Sequence, residues 1–307
     1  MIDDPGLAVV FAVLLAGVLE ATFGEPPGRY HPVAFLGQVI EHLETRQFGI
    51  PRLTGVVYAV SVPLLSSLVV YGVVWVGASA HPIAAAALSG VALWLASSLR
   101  MLLQSAREVI DSSGEDPQGA RAALLALVGR EKADLSPGLI RSAALESLAE
   151  NLSDGLVAPL SAFVALSFVS VPAAAAGAVF VKAVNTMDSM LGYPGPFGWG
   201  SARLDDLVMF VPARISAALL GLAAGDPDAA FRARRYVDKP ASPNAGWPMG
   251  TLAAALNVRL EKPGVYVLND VAAEPTVRDG TKAITATRRV GIAAYALAAL
   301  AGVLRWL

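Results

Sequence analysis

SAALESLAENLSDGLVAPLSAFVALSFVSVPAAAAGAVFVKAVNTMDSM, residues 142–190, sets the reading of the whole chain. It opens on a helical pattern with carboxylates at Glu146, Glu150 and Asp154, runs through an apolar stretch at 155–181, and closes on Lys182, Asn185 and Asp188. An apolar run of that length predicts membrane-embedded helix, because about 20 apolar residues at 1.5 Å rise cross a bilayer core. Pro159 and Pro172 interrupt it, so it reads equally as a re-entrant pair of half-helices turning near Pro172. Polar groups at both its ends are the feature that a lipid-embedded segment has to explain.

Further apolar segments lie at 7–23, 53–79 (with Pro63), 81–99, 207–224 (with Pro212 and Arg214) and 291–307. The expectation is an all-α, polytopic integral membrane protein with about four to six membrane helices, some of them re-entrant, in one membrane-embedded domain over 1–307. Composition agrees. Among 307 residues, 55% are hydrophobic and only 16% charged, with a mean hydropathy of +0.57. Soluble chains carry about 25% charged residues. The chain starts MIDDPG, acidic where a cleaved secretory leader would be basic, so 7–23 reads as a retained helix.

Two polar stretches separate these segments, 100–154 and 225–289. The first reads as two amphipathic helices broken at Ser136-Pro137, the second as Pro- and Gly-rich turns around one helix near 249–260. If all six segments span, one side holds 19 of the 23 Lys and Arg residues. That bias places the long loops in the cytoplasm and the active face on the cytoplasmic side of the cell membrane.

Several chemistries are excluded. There are no cysteines, hence no disulfide framework, thiolate nucleophile or Cys-bound metal. His31, His42 and His81 lie far apart in sequence, without metal-site spacing. Net charge is −2, which makes no case for nucleic acid. No Walker-type or dinucleotide-binding glycine motif occurs.

The remaining polar clusters each carry two readings. Glu146, Glu150 and Asp154 share one helix face, a row suited to Mg²⁺ or to a solvated face closed by an Asp154-Gly155 cap; Asn151 lies beside it. Asn185 and Asp188 share a face next to Lys182, either a wet cavity or an interfacial helix end. Residues 192–206 combine glycines with Arg203, Asp205 and Asp206, an anion cradle or a plain turn with an Arg203–Asp206 pair. Ser242, Asn244 and Trp247 occupy a rigid loop, and His31 follows the first span as a structural or substrate-facing histidine.

Taken together these stretches resemble one family. His31-Pro32-Val33 with Leu36-Gly37, Glu146-Ser-Leu-Ala-Glu150-Asn151-x-x-Asp154-Gly155 with Pro159, and Lys182-Ala-Val-Asn185-Thr-Met-Asp188-Ser-Met are similar to the membrane-bound adenosylcobinamide-phosphate synthases of cobalamin biosynthesis. So are Phe197-Gly198-Trp199-x-x-Ala202-Arg203-Leu204-Asp205-Asp206, Pro212-Ala-Arg214 and Ser242-Pro-Asn244-Ala-Gly246, in order, over residues 24–268. One departure is Gly24-Glu25-Pro26-Pro27-Gly-Arg-Tyr-His31, where the family has an acidic-Pro…Pro-His-Pro pattern.

The resemblance implies a ligase that joins adenosylcobyric acid, through its free propionate, to an aminopropanol (phosphate) linker as an amide, with ATP and Mg²⁺. On that implication, Glu146, Glu150, Asn151, Asp154 and Asp188 are the catalytic candidates. Glu150, Asp154, Asp188, Asp205 and Asp206 are candidate metal ligands, and Lys182, Arg203 and Arg214 would neutralise phosphate. His31, Asn185, Ser242 and Asn244 are further substrate-binding candidates. The implied partners are the corrinoid, the aminopropanol (phosphate), the lipid bilayer and other membrane-bound cobalamin-assembly enzymes. The rival reading is a membrane transporter for a corrinoid or another large anion, suggested by proline-broken spans with polar residues at depth.

Overall fold

The computed structural model describes residues 4–46, 49–128 and 135–306. Residues 1–3 of the acidic start, and Arg130 and Lys132 of the first polar stretch, lie outside them.

The chain is helical almost throughout: an all-α polytopic membrane protein. In order come α1 (Pro5–Thr22), α2 (Pro32–Glu44), α3 (Pro51–Ala80), α4 (Pro82–Ala96), α5 (Arg100–Glu115), α6 (Pro117–Val128) and α7 (Pro137–Leu152). A five-residue π turn, Ser153–Val157, leads into α8 (Ala158–Ser167), followed by α9 (Val171–Leu191), α10 (Trp199–Val208), α11 (Phe210–Ala223), α12 (Ala229–Ala233) and α13 (Gly246–Leu256). A small antiparallel hairpin, β1 (Leu260–Lys262) and β2 (Tyr266–Leu268), precedes α14 (Val277–Trp306).

Proline punctuates this fold by starting helices. Pro5, Pro32, Pro82 and Pro137 each open a helix, where a missing N–H costs nothing. The residue before each caps it: Asp4 accepts from Gly6 N, His31 Nδ1 from Val33 N, His81 Nδ1 from Ile83 N, and Ser136 Oγ from Leu139 N.

Among the described residues, four helical stretches are long and apolar enough to cross a membrane: Pro5–Thr22, Pro51–Ala80, Pro82–Glu115 and Val277–Arg305. Counting α10 and α11 as one broken span gives five. The six-segment reading is corrected at 155–181. That stretch is two helices with a turn at Phe168–Ser170, and α8, at ten residues, is about 15 Å long, half of a bilayer core. The break in the fifth segment falls at Met209, and Pro212 sits in the first turn of α11, where it is tolerated. The first polar stretch holds three helices, α5 and α6 parting at Asp116 before Pro117, and its helix 137–152 begins at the expected Ser136-Pro137 break.

Contacts divide the chain into two units. One comprises 1–98, 154–209 and 294–307; the other 99–153 and 210–293, which takes in nearly all of both polar stretches. In the first unit, α3 packs on α9, α1 on α4, and α8 on α9. Small residues permit the crossings: a Cβ at Gly90 would lie 2.8 Å from the Ala12 carbonyl oxygen, and one at Gly200 2.8 Å from Val56 Cα. The outward side of α3 presents Leu64, Leu65, Leu68, Val69 and Val76, an apolar surface of the kind lipid covers. In the second unit, α5 and the hairpin pack on α7, and α13 on α11 and α12.

Candidate active site

In the first unit, four separate pieces of chain bring ionisable groups together. The Trp94 indole donates to the Gly24 carbonyl (2.9 Å), tying down the turn after α1 and with it Glu25. His31 begins α2. Because its Nδ1 accepts from the backbone at Val33 (3.1 Å), the ring proton resides on Nε2, which faces Glu25 Oε2 at 4.0 Å. Burial holds the His31 imidazole below its ordinary pKa of 6.5, outweighing the opposing pull of Glu25, and Lys182 pushes the same way as burial. Lys182, midway along α9, feels both Glu25 and Asp154 as counter-charges. Asp154, in the π turn, accepts a long 3.5 Å hydrogen bond from Asn185 Nδ2. The α8–α9 hairpin thus returns the chain so that its two polar ends meet.

The cluster of Glu25, His31, Asp154, Lys182 and Asn185 has one cation against two carboxylates. It suits an ammonium or a phosphate-borne cation better than a bare anion. Lys182 also lines a cavity of about 490 Å³, apolar apart from it and Ser66, between α2, α3, α4 and α9. One turn beyond Asn185, Asp188 folds back so closely over Gly192 that a Cβ there would overlap its carboxylate, and Asp206 acts on Asp188 as a like charge. Asp206 pairs with the mostly exposed Arg203 at 2.8 Å. Asp205, one residue earlier, is buried. Glycines 198 and 200 serve close packing, against the Leu191 and Tyr193 carbonyls and the Val56 backbone, rather than an open anion cradle.

In the second unit, Arg214, Ser242 and Asn244 come together as substrate-binding candidates, with Trp247 added. The Arg214 guanidinium lies 3.7 Å from the Phe210 ring centroid and 5.0 Å from that of Trp247. Its Nη1 donates to Asn244 Oδ1 and to the Phe210 carbonyl, each at 2.7 Å, and the Asn244 N–H donates to Ser242 Oγ (3.2 Å). The arginine is therefore held rigid before any ligand arrives.

Also in that unit, Glu146 is buried on α7 and both its oxygens accept: Oε1 from Ser142 Oγ (2.8 Å) and Oε2 from the Tyr266 hydroxyl (2.5 Å). Burial and the Glu146 and Glu150 carboxylates drive the Tyr266 phenol far above its ordinary pKa, so it remains a donor. Asn151 Nδ2 donates to Ser147 Oγ (2.8 Å). The regular α-helix ends at Leu152, and the wider π turn interrupts the four-residue spacing on which the row Glu146, Glu150, Asp154 was read.

Among the described residues, no three His, Asp or Glu side chains are grouped so as to cage a metal. A Mg²⁺ ion would be held by one or two carboxylates with substrate phosphates completing its shell, the usual mode for that ion.

A family model described as CobD/Cbib protein matches residues 13–297, so the polar positions above fall inside one family pattern. The chain belongs to the CobD/CbiB family. A probable cobalamin biosynthesis protein CobD of Methanothermobacter thermautotrophicus is 36% identical, over 86% of this chain and 88% of that protein. Cobalamin biosynthesis proteins CobD of Geobacter metallireducens and of Mycobacterium tuberculosis H37Rv are 36% and 37% identical, covering 90% and 87% of this chain and 88% and 85% of theirs. No solved structure matches. Within a CobD/CbiB chain, Glu25 and Tyr266 are the polar residues that sequence reasoning left out. Glu25 was legible as an acidic residue straight after a span, whereas Tyr266 lies in a short alternating stretch with no chemical signature.

Proposed function

We propose that this chain acts in cobalamin biosynthesis as a membrane-bound ligase. The reaction joins the free propionate of adenosylcobyric acid to an aminopropanol (phosphate) linker. Family membership over residues 13–297, with relatives whose names state cobalamin biosynthesis, carries this reading.

The chemistry transfers the γ-phosphoryl group of ATP to the propionate oxygen, releasing ADP. The linker amine then attacks the acyl carbon, phosphate leaves with the C–O bonding pair, and the amine nitrogen surrenders its proton. Three tasks fall to side chains: holding phosphates, holding the amine, and taking the proton. The prearranged Arg214, with Ser242 and Asn244, suits phosphate or carboxylate oxygens, and the mostly exposed Arg203 can exchange its Asp206 partner for phosphate. Within the second unit Glu150 on α7 is the base candidate; within the first, the acidic surplus around Asp154 and Glu25 suits a cationic group. Mg²⁺, held by Asp154 or Asp188 together with the phosphates, would supply charge neutralisation. With 155–181 entering and leaving by one face, 24–52, 100–155 and 225–289 share a side when the bent α10–α11 pair does not cross either, and their Lys and Arg residues then support a cytoplasmic active face, where ATP is available.

The test is growth of a strain lacking its synthase. This chain should restore growth on cobyric acid, Glu150→Gln should not, and cobinamide should rescue both. Purified protein should consume ATP only with cobyric acid and amine together, and Glu150→Gln should lower kcat about 100-fold or more. Corrinoid uptake without ATP-dependent amide formation would establish the transporter instead.

A further inference from the structure

In the second unit, one face of α7 is gripped at four-residue intervals by the segment that follows α13. At Gly138 the Glu274 side chain lies where a Cβ would be, with its own Cβ 2.9 Å from that point. One turn on, Ser142 Oγ accepts from the Glu261 N–H on β1 (2.6 Å) and gives its own proton to Glu146 Oε1 (2.8 Å). After another turn, Glu146 Oε2 accepts from Tyr266 on β2 (2.5 Å). The next residue in this series is Glu150. Arg259 stiffens the gripping segment through Glu261 (3.3 Å) and Glu274 (3.2 Å).

We propose that Tyr266 is a positioning residue of the amide-forming site, its hydroxyl pinning Glu146 to the hairpin so that Glu150 projects from an immobilised helix face. This rests on the reading of Glu150 as a group that acts on substrate. Two carboxylates one turn apart repel. A donor that holds the first by direct hydrogen bond, with Ser142 on its other oxygen, fixes that charge against the hairpin. A phenylalanine at 266 keeps the ring and removes only the donor. Glu146 then loses the Tyr266 anchor and can shift relative to Glu150. A displacement of well under 1 Å at a base is costly for the chemical step while substrate binding barely changes.

The experiment uses the full-length chain in detergent or nanodiscs, assayed for amide formation with cobyric acid, aminopropanol phosphate and MgATP. Tyr266→Phe should lower kcat about tenfold, the order seen when outer partners of a functional group are removed. KM for corrinoid and amine should stay within about twofold, and the thermal midpoint, lowered by the lost hydrogen bond to a buried carboxylate, should remain above the assay temperature. The double variant Tyr266→Phe/Glu146→Ala should be no slower than Glu146→Ala alone, because each substitution by itself already breaks the Tyr266–Glu146 hydrogen bond. Wild-type kcat in Tyr266→Phe, or losses that multiply in the double variant, would overturn the proposal. If Tyr266→Phe does not accumulate, Ser142→Ala, which removes the other donor, carries the same expectation, and normal kcat there overturns it equally. A wild-type protein that forms no amide would sink the ligase reading itself.

Discussion

At the scale of single residues, His31 does two things at once. It caps α2 through Nδ1, which depends on the ring remaining neutral, and faces Glu25 through Nε2, whose carboxylate pulls toward the protonated form. Protonation would turn the capping acceptor into a donor and put positive charge at a helix N-terminus. Since burial lowers the folded-state pKa below 6.5, the unfolded chain binds the extra proton first. Stability is therefore full above about pH 6.5 and declines as pH falls through that value toward the folded pKa. The thermal midpoint should drop between pH 7.5 and 5.5, and His31→Asn, which retains a capping acceptor without titrating there, should flatten that dependence. Gly200 makes a second residue-level case. Its hydrogen faces the rigid backbone of Val56, so Gly200→Ala should cost about 1–3 kcal/mol, read as a lower thermal midpoint.

At the scale of elements, the sequence is most legible where local chemistry decides the outcome. The caps before Pro5, Pro32, Pro82 and Pro137 are short-range signals, and each marks a helix start. The turn near Pro172 is of the same kind: Ser170 Oγ accepts from Ala173 N (3.2 Å) and starts α9. Ser170→Ala should cost about 1 kcal/mol, or more where water cannot satisfy the freed N–H, and Ser170→Thr, a capping acceptor without charge, should recover part of it. Illegible elements are those set by tertiary contact. The π turn at Ser153–Val157 has no compositional mark. The hairpin strands are three residues each, too short for a periodic signal, and gain their order from Ser142 and Glu146 on α7. The same division holds in the site. Asp154 and Asn185 were recognisable as polar residues flanking an apolar run, but their 3.5 Å contact follows from hairpin geometry that spacing alone leaves open. Gly198 and Gly200 look like ligand-binding glycines in sequence, and their use for backbone packing appears only once the Leu191 and Tyr193 carbonyls and the Val56 backbone lie against them.

At the scale of the whole molecule, the fate of residues 155–181 decides which face of the membrane can host the chemistry. Had they crossed, Asp154 and Asn185 would be separated by a bilayer core of about 30 Å; instead they touch. A re-entrant α8–α9 hairpin would enter and leave by one face, with its tip, including the largely exposed Val169, at depth. Tyr193, just after α9, is half exposed and belongs to the entry face. The chain contains no cysteine, so single cysteines report without background. Tyr193→Cys should react with an impermeant maleimide in inside-out vesicles but not in intact cells. Val169→Cys should resist it from both sides, yet react with a membrane-permeant, apolar maleimide. Labelling of Val169→Cys from outside intact cells would mean that the hairpin tip emerges on the far side. The ionisable cluster at its base would keep its geometry, but the tip would open a route through the protein, which is the architecture a transporter needs and a ligase does not.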